Sequence, residues 1–186
     1  ERSQRESEER PQLTINALGI EPGQTVADLG AGSGYYTFRI APLVGERGSV
    51  LAIAHNGNLV NGAILRDELE RSGSIFQSTS DTEVIIHLIA TSKEISLMAR
   101  IVEALSRVRG AYSLLFITPD RMIAARDPYG FRPLVLGKFR EGPNSGAYVV
   151  ASETCALDLI EADYVREVEP GEIITFSPAG MDSLKP

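Results

Sequence analysis

The feature that most limits what this chain can fold into is a change of periodicity near residue 50. Before it, Thr25 to Leu29 reads as a strand and Gly30-Ala31-Gly32-Ser33-Gly34 as a turn. Tyr35 to Val44 then reads as a helix closed by Gly45, and Gly48 to Ile53 as a second strand. That order is a β-turn-α-β unit. A short helix over Pro11 to Ile20, ended by Glu21-Pro22-Gly23, precedes it, and residues 1–10 form a charged lead-in.

After residue 50 the order of elements differs: helices cluster first and strands follow. Apolar spacing predicts helices from about Leu59 to Arg71, from Ser80 through Ala90, and from Glu94 to Arg109, the last with Ile95, Met98, Ile101, Val102, Leu105 and Val108 on one side. The Ser80 to Glu83 spacing matches a capping box. Strands are predicted over Tyr112 to Thr118, Met122 to Arg126, Leu134 to Phe139, Tyr148 to Ser152 and Glu172 to Phe176, with a short helix around Cys155 to Ile160. The second block is therefore a layered α+β arrangement, and the whole chain is α/β.

Composition narrows the function. With 18 basic against 25 acidic side chains, no Trp and 6% aromatic residues, the net charge of −7 argues against a partner held through its phosphate backbone or by base stacking. No apolar run exceeds five residues, as in Val50 to Ala54, so a membrane-spanning helix is not expected. One cysteine and two histidines offer neither an internal disulfide nor a cysteine-based metal site. A reducing, cytoplasmic setting is expected, and the charged first ten residues do not form a signal peptide.

Two motifs carry chemistry. The glycines Gly30, Gly32 and Gly34 stand where a strand turns into a helix, which allows close backbone approach to a ligand and aims helix N–H groups at it; a plain tight corner has the same composition. In Asn56-Gly57, a side-chain amide and a backbone N–H can converge on one point, as stabilising an oxyanion requires; a hairpin turn also uses this dipeptide.

Residues 11–53, and within them LGIEPGQTVADLGAGSGYYTFRIAPLVGERGSVLAI, resemble the opening of Rossmann-like methyltransferases that bind S-adenosylmethionine. The resemblance implies that Gly30, Gly32 and Gly34 pack against the cofactor and that an acidic residue ends the second strand to hold the ribose. Here that strand ends Ile53-Ala54-His55, without a carboxylate. From residue 51 the chain resembles another family. The segments LAIAHNGNLVN, LRDELERSGSIFQSTSDTEVIIHLIA, VRGAYSLLFI, RDPYGFRPLVLG, YVVASETCALDLI and REVEPGEII are, in this order, strongly similar to the class II glutamine amidotransferase domain of amidophosphoribosyltransferases, which are N-terminal-nucleophile (Ntn) hydrolases. That resemblance implies an α/β/β/α sandwich, hydrolysis of glutamine, and ammonia delivery for phosphoribosylamine formation in purine biosynthesis. It gives Asn56 and Gly57 the oxyanion hole and Asp81 the α-amino group of glutamine.

The expectation is thus a Rossmann-like βαβ segment over residues 1–50 joined to a partial Ntn-type domain over residues 51–186, with a seam in Gly48 to His55. The strand at the seam is expected to pair with Thr25 to Leu29 or with the later strands, not readily with both. The Ntn resemblance places the nucleophilic cysteine at the N-terminus, where this chain has Glu1, and Cys155 matches an internal, non-catalytic position. The expectation is a partial glutaminase domain without turnover; the alternatives are a chimeric non-catalytic scaffold or binding module and an S-adenosylmethionine-binding methyltransferase fragment. His55 and Cys155 as a base and nucleophile are disfavoured, and Cys155 is read as a partly buried thiol. The segment from Arg126 to Leu134 is read as structural, His87 as a packed helix residue, and open sheet edges as a route to a homo-oligomer.

Overall fold

The computed structural model describes residues 9–29, 35–45 and 49–186. Its order of elements is α1 (Pro11–Ala17), β1 (Thr25–Leu29), α2 (Thr37–Val44), β2 (Ser49–Leu59), α3 (Gly62–Arg71), α4 (Asp81–Thr91), α5 (Leu97–Arg107), β3 (Gly110–Ile117), β4 (Met122–Arg126), β5 (Val135–Phe139), β6 (Tyr148–Ala151), α6 (Thr154–Leu159), β7 (Ala162–Glu167), β8 (Ile173–Ser177) and β9 (Gly180–Leu184). A six-stranded sheet runs β1-β2-β3-β4-β8-β9, and a three-stranded sheet runs β6-β5-β7. No helix among the described residues is long and apolar enough to cross a membrane.

Alternation along the strands sets the layers. On one face of the larger sheet, Ile53, Leu114, Phe116, Ile123, Ala125 and Ile173 are buried against Leu65, Leu69, Val84, Ile85, Leu88, Ile101 and Leu105 of α3, α4 and α5. On the other, Ala124, Ile174 and Leu115 meet Leu134, Val150 and Val168, so the second sheet is stacked there. Its outer side is covered by Leu157 of α6 against Val135 and Ala162. Helices, sheet, sheet and helix form the α/β/β/α sandwich, and each large aliphatic side chain buried in it contributes roughly 1.5–3 kcal/mol.

The βαβ segment adds to this sandwich. β1 pairs parallel with β2 over Thr25↔Ser49 to Leu29↔Ile53, and Ile15, Ile40 and Val44 of α1 and α2 pack with Val50 as a small separate core. The pairing overturns the expectation that the strand at the seam would serve one side. β2 has eleven residues and two edges. β1 takes residues 49–53 on one edge, and β3 takes Ala52 to Leu59, antiparallel, on the other. The two ladders overlap only at Ala52 and Ile53, so neither displaces the other.

Several boundaries move for local reasons. α5 begins at Leu97 because the Ser96 hydroxyl accepts from Ala99 N at 3.1 Å; Ile95 stays outside and is 97% exposed, off the apolar stripe. The capping box at α4 forms only by half. Ser80 Oγ accepts from Thr82 N at 3.2 Å, but the Glu83 carboxylate turns away to accept from Gln77 N, Ser78 N and Ser78 Oγ. Strands β7 and β9 lie where the sequence predicts none. β9 is exposed at every position, so no alternation announces it.

Candidate functional site

The site is built at the end of β2. Asn56-Gly57 is not a turn: both residues are in the strand, opposite Ser113 and Tyr112 of β3. Gly57 has φ +153°, and a Cβ there would lie 2.0 Å from the Ala111 carbonyl oxygen, so the approach of β3 requires glycine. Val60 N donates to Arg109 O at 2.8 Å. By the alternation of an antiparallel ladder, the N–H groups of Leu59 and Gly57 then turn to the opposite edge of β2. β1 covers that edge only as far as Ile53. Gly57 therefore presents its N–H where no described strand continues the sheet, as an oxyanion donor must.

The other half of the corner is the first turn of α4. Asp81 Oδ2 accepts from Leu59 N at 2.8 Å, which fixes the helix start against the strand end. Its second oxygen has no hydrogen-bond partner among the described residues. A Cβ on Gly62 would lie 2.8 Å from that Oδ1, so a glycine at the start of α3 leaves the carboxylate its room. Beside it, His55 Nδ1 lies 3.3 Å from Thr82 Oγ1, and His55 Nε2 is buried without a partner among the described residues. Burial lowers the His55 pKa below 6.5, Asp81 opposes this and Arg132 adds to it, so the ring is neutral at neutral pH.

A cavity of about 300 Å³ opens between the two sheets, lined by Ala54, His55 and Asn56 of β2, Ser113 of β3, Val150 of β6, Ser152 just after it, and Ala156 of α6. Asn56 lines it; Asp81 does not, standing instead at the open edge of β2, where it accepts from the Leu59 N–H. Cys155 does not line it either. The thiol is exposed, not partly buried, and donates to Glu153 Oε2 at 3.3 Å. That bond and the Glu153 charge push its pKa up, the reverse of what a nucleophilic thiol needs. His55 faces Thr82, so the two residues do not form a base and nucleophile pair. His87 packs against Phe76 with ring centroids 4.3 Å apart.

A family model described as a glutamine amidotransferase domain matches residues 39–159. The chain belongs to that family. The amidotransferase domain is 56% identical over 143 residues to the chloroplastic amidophosphoribosyltransferase of Glycine max, covering 76% of this chain and 24% of that protein. With the amidophosphoribosyltransferase of Bacillus subtilis (strain 168) it shares 48% identity over 155 residues, 82% of this chain and 31% of the relative. The solved glutamine phosphoribosylpyrophosphate amidotransferase from B. subtilis, complexed with ADP and GMP, superposes with a TM-score of 0.68 at 52% identity over 73% of this chain and 29% of that one. A glutamine aminotransferase class-II domain protein from Silicibacter pomeroyi, 19% identical with a TM-score of 0.55 over 73% of this chain and 67% of its own, shares the fold. The chain spans about a quarter to a third of the length of these curated relatives.

Within the amidotransferase domain, the segment after β4 is a brace. Arg126 donates to the carbonyls of Arg132, Gly130 and Val168 at 2.6–3.0 Å and pairs with Glu167. The fully buried Asp127 carboxylate accepts from the backbone N–H groups of Tyr129, Phe131 and Arg132. The Asp127 charge is consumed by the loop, and the Arg126 charge is shared between the loop and residues 167 and 168. The residues Gly30, Gly32 and Gly34 lie outside the described residues. The flanking strands do not fit the nucleoside of S-adenosylmethionine: β2 continues through Ala54 and His55 without a carboxylate, and Asp28 is engaged by Thr37 Oγ1 at 2.5 Å. Sequence reasoning missed Thr82, Gly62 and the Leu59 N–H, whose roles exist only once α4 lies against β2.

Proposed function

We propose that this chain holds part of a glutamine site, with Asn56 and the Gly57 N–H as oxyanion donors and Asp81 as the acceptor for the α-ammonium group. The observation that carries the reading is a pair of groups at the end of β2: the Gly57 N–H on an edge that no described strand covers, and an Asp81 oxygen without a hydrogen-bond partner among the described residues. Buried or constrained polar groups are ordinarily paired, so groups held open on well-ordered elements are available to a ligand. In amidotransferases such donors stabilise the charge that develops on the amide oxygen during attack.

The larger activity we infer is that of the relatives: release of ammonia from glutamine for phosphoribosylamine formation in purine biosynthesis. The 186 residues taken alone are expected to bind glutamine without turning it over. Their single cysteine is Cys155, and its exposed, carboxylate-bound thiol is remote in role from Asn56. We further infer a division into residues 1–50 and residues 51–186, supported by the separate small core that α1 and α2 make with Val50.

Titration of glutamine into the 186-residue chain, followed through the backbone amides, tests the reading. Saturable shifts at Gly57, Leu59 and Asp81 are expected, lost in Asp81→Ala. Shifts that are absent or confined to other elements would overturn it. A coupled assay for glutamate should read at the buffer rate; enzyme-like release would refute the inference of no turnover.

A further inference from the structure

His55 is a half-buried polar side chain, its Nε2 atom buried, that the proposed chemistry does not use. Its ring lies on the helix side of β2, where its neighbours Ile53 and Leu114 are fully buried hydrocarbon. One nitrogen, Nδ1, meets Thr82 Oγ1 at 3.3 Å; the other, Nε2, is buried without a partner among the described residues. An unpaired buried nitrogen is destabilising, and a Leu or Phe at this position would avoid that cost. What the imidazole supplies in return is its contact to Thr82, the residue after Asp81.

That contact is one of two side-chain hydrogen bonds, among the described residues, between β2 and the first turn of α4. His55 to Thr82 lies on one side of Asn56-Gly57, and Leu59 N to Asp81 Oδ2 on the other. Two ties on either side of the donors fix the height of the helix start along the strand; with one, α4 could pivot about Leu59. We propose that His55 is a positioning residue: through Thr82 it holds the first turn of α4 so that the Asp81 carboxylate and the Asn56-Gly57 donors meet a single glutamine at a fixed separation. This rests on the glutamine reading above and specifies how its two halves are kept in register.

The test uses the full 186-residue chain and four variants: Thr82→Val, His55→Asn, His55→Gln, and His55→Gln with Thr82→Val. An asparagine amide reaches the place of Nδ1, whereas a glutamine amide reaches the place of Nε2. In glutamine titrations, Thr82→Val and His55→Gln should each raise Kd about tenfold, the double variant no further than either single one, and His55→Asn should stay within about threefold of the parent. Additive losses, or an Asn variant no better than the Gln variant, would overturn the proposal, since a general packing role does not distinguish the two amides. If His55→Gln does not fold, Thr82→Val against His55→Asn carries the comparison.

Amide exchange separates this proposal from the reading beneath it. The tie predicts that Thr82→Val speeds exchange at the Leu59 N–H, with Leu114 in the neighbouring strand unchanged, whether or not glutamine binds. Unaltered exchange at Leu59 sinks the tie. Faster exchange at Leu59 in a parent chain that does not bind glutamine sinks only the glutamine reading.

Discussion

Two acidic residues of this chain, Asp127 and Asp81, show how similar chemistry is put to different ends. Asp127 is fully buried and spends its carboxylate on three backbone N–H groups of its own loop, while Arg126 binds three carbonyls beside it. Asp81 is half-buried, accepts from one N–H of another element, and has a second oxygen without a partner among the described residues. A charge that is saturated by its own loop braces; a charge that is partly engaged by a neighbouring element is aimed. The saturated group should therefore govern stability and the partly engaged one binding.

The largest effect expected is at the brace. Asp127→Ala leaves three backbone donors buried or strained and an adjacent arginine without its loop, and should cost about 3–5 kcal/mol, enough to abolish cooperative unfolding in urea. A variant as stable as the parent would break the contrast between the two residues. Gly57→Ala comes next, since its methyl would overlap the Ala111 carbonyl oxygen, 2.0 Å away. Displacing β3 from β2 should cost about 2–4 kcal/mol, read as a lowered thermal midpoint.

A third measurement sharpens the difference between paired and open carboxylates through pH. Arg166, with Ser183 Oγ and Glu169 N, holds the Glu172 pKa down to about 2 from 4.5. A depressed carboxylate stabilises the folded chain above its unfolded pKa, and the contribution is lost as pH falls through the folded one. Stability should accordingly decline between pH 4.5 and about 2, and Glu172→Gln should flatten that decline while lowering stability at neutral pH. An unchanged slope in the variant would show that Glu172 is not a source of the decline.

The smallest effect on stability is expected at the site itself. Asn56→Ala removes an exposed amide that has no hydrogen-bond partner among the described residues and should change the unfolding free energy by less than about 0.5 kcal/mol. The same change should weaken glutamine binding about tenfold or more. A large loss of stability with binding intact would exchange the roles assigned to Asn56 and Asp127.

Much of this was legible in the chain itself. β1 and β4 lie as the apolar spacing predicts, and the boundaries of α3, α4 and β3 differ from it by a few residues or fewer. β9 was not legible, because its five exposed residues carry no alternation and the strand is held by backbone pairing to β8. Asn56-Gly57 was legible as chemistry and misread as geometry: a dipeptide that favours a turn is kept extended by eight residues of pairing with β3. The capping box was half right, since Glu83 found closer donors in the loop before α4 than the N–H of Ser80.

The sequence by itself determined the helices, most of the strands, the motif order and the candidate chemistry, since apolar periodicity and ordered motifs are local properties of the chain. Only the tertiary structure decided that β2 serves two sheet partners at once, that Asp81 is tied to Leu59, that Gly62 makes room for it, and that His55 meets Thr82. Each of these depends on which edge of a strand is left open and on how a helix start is placed against it. Such relations arise between elements distant in sequence, and no spacing within either element specifies them.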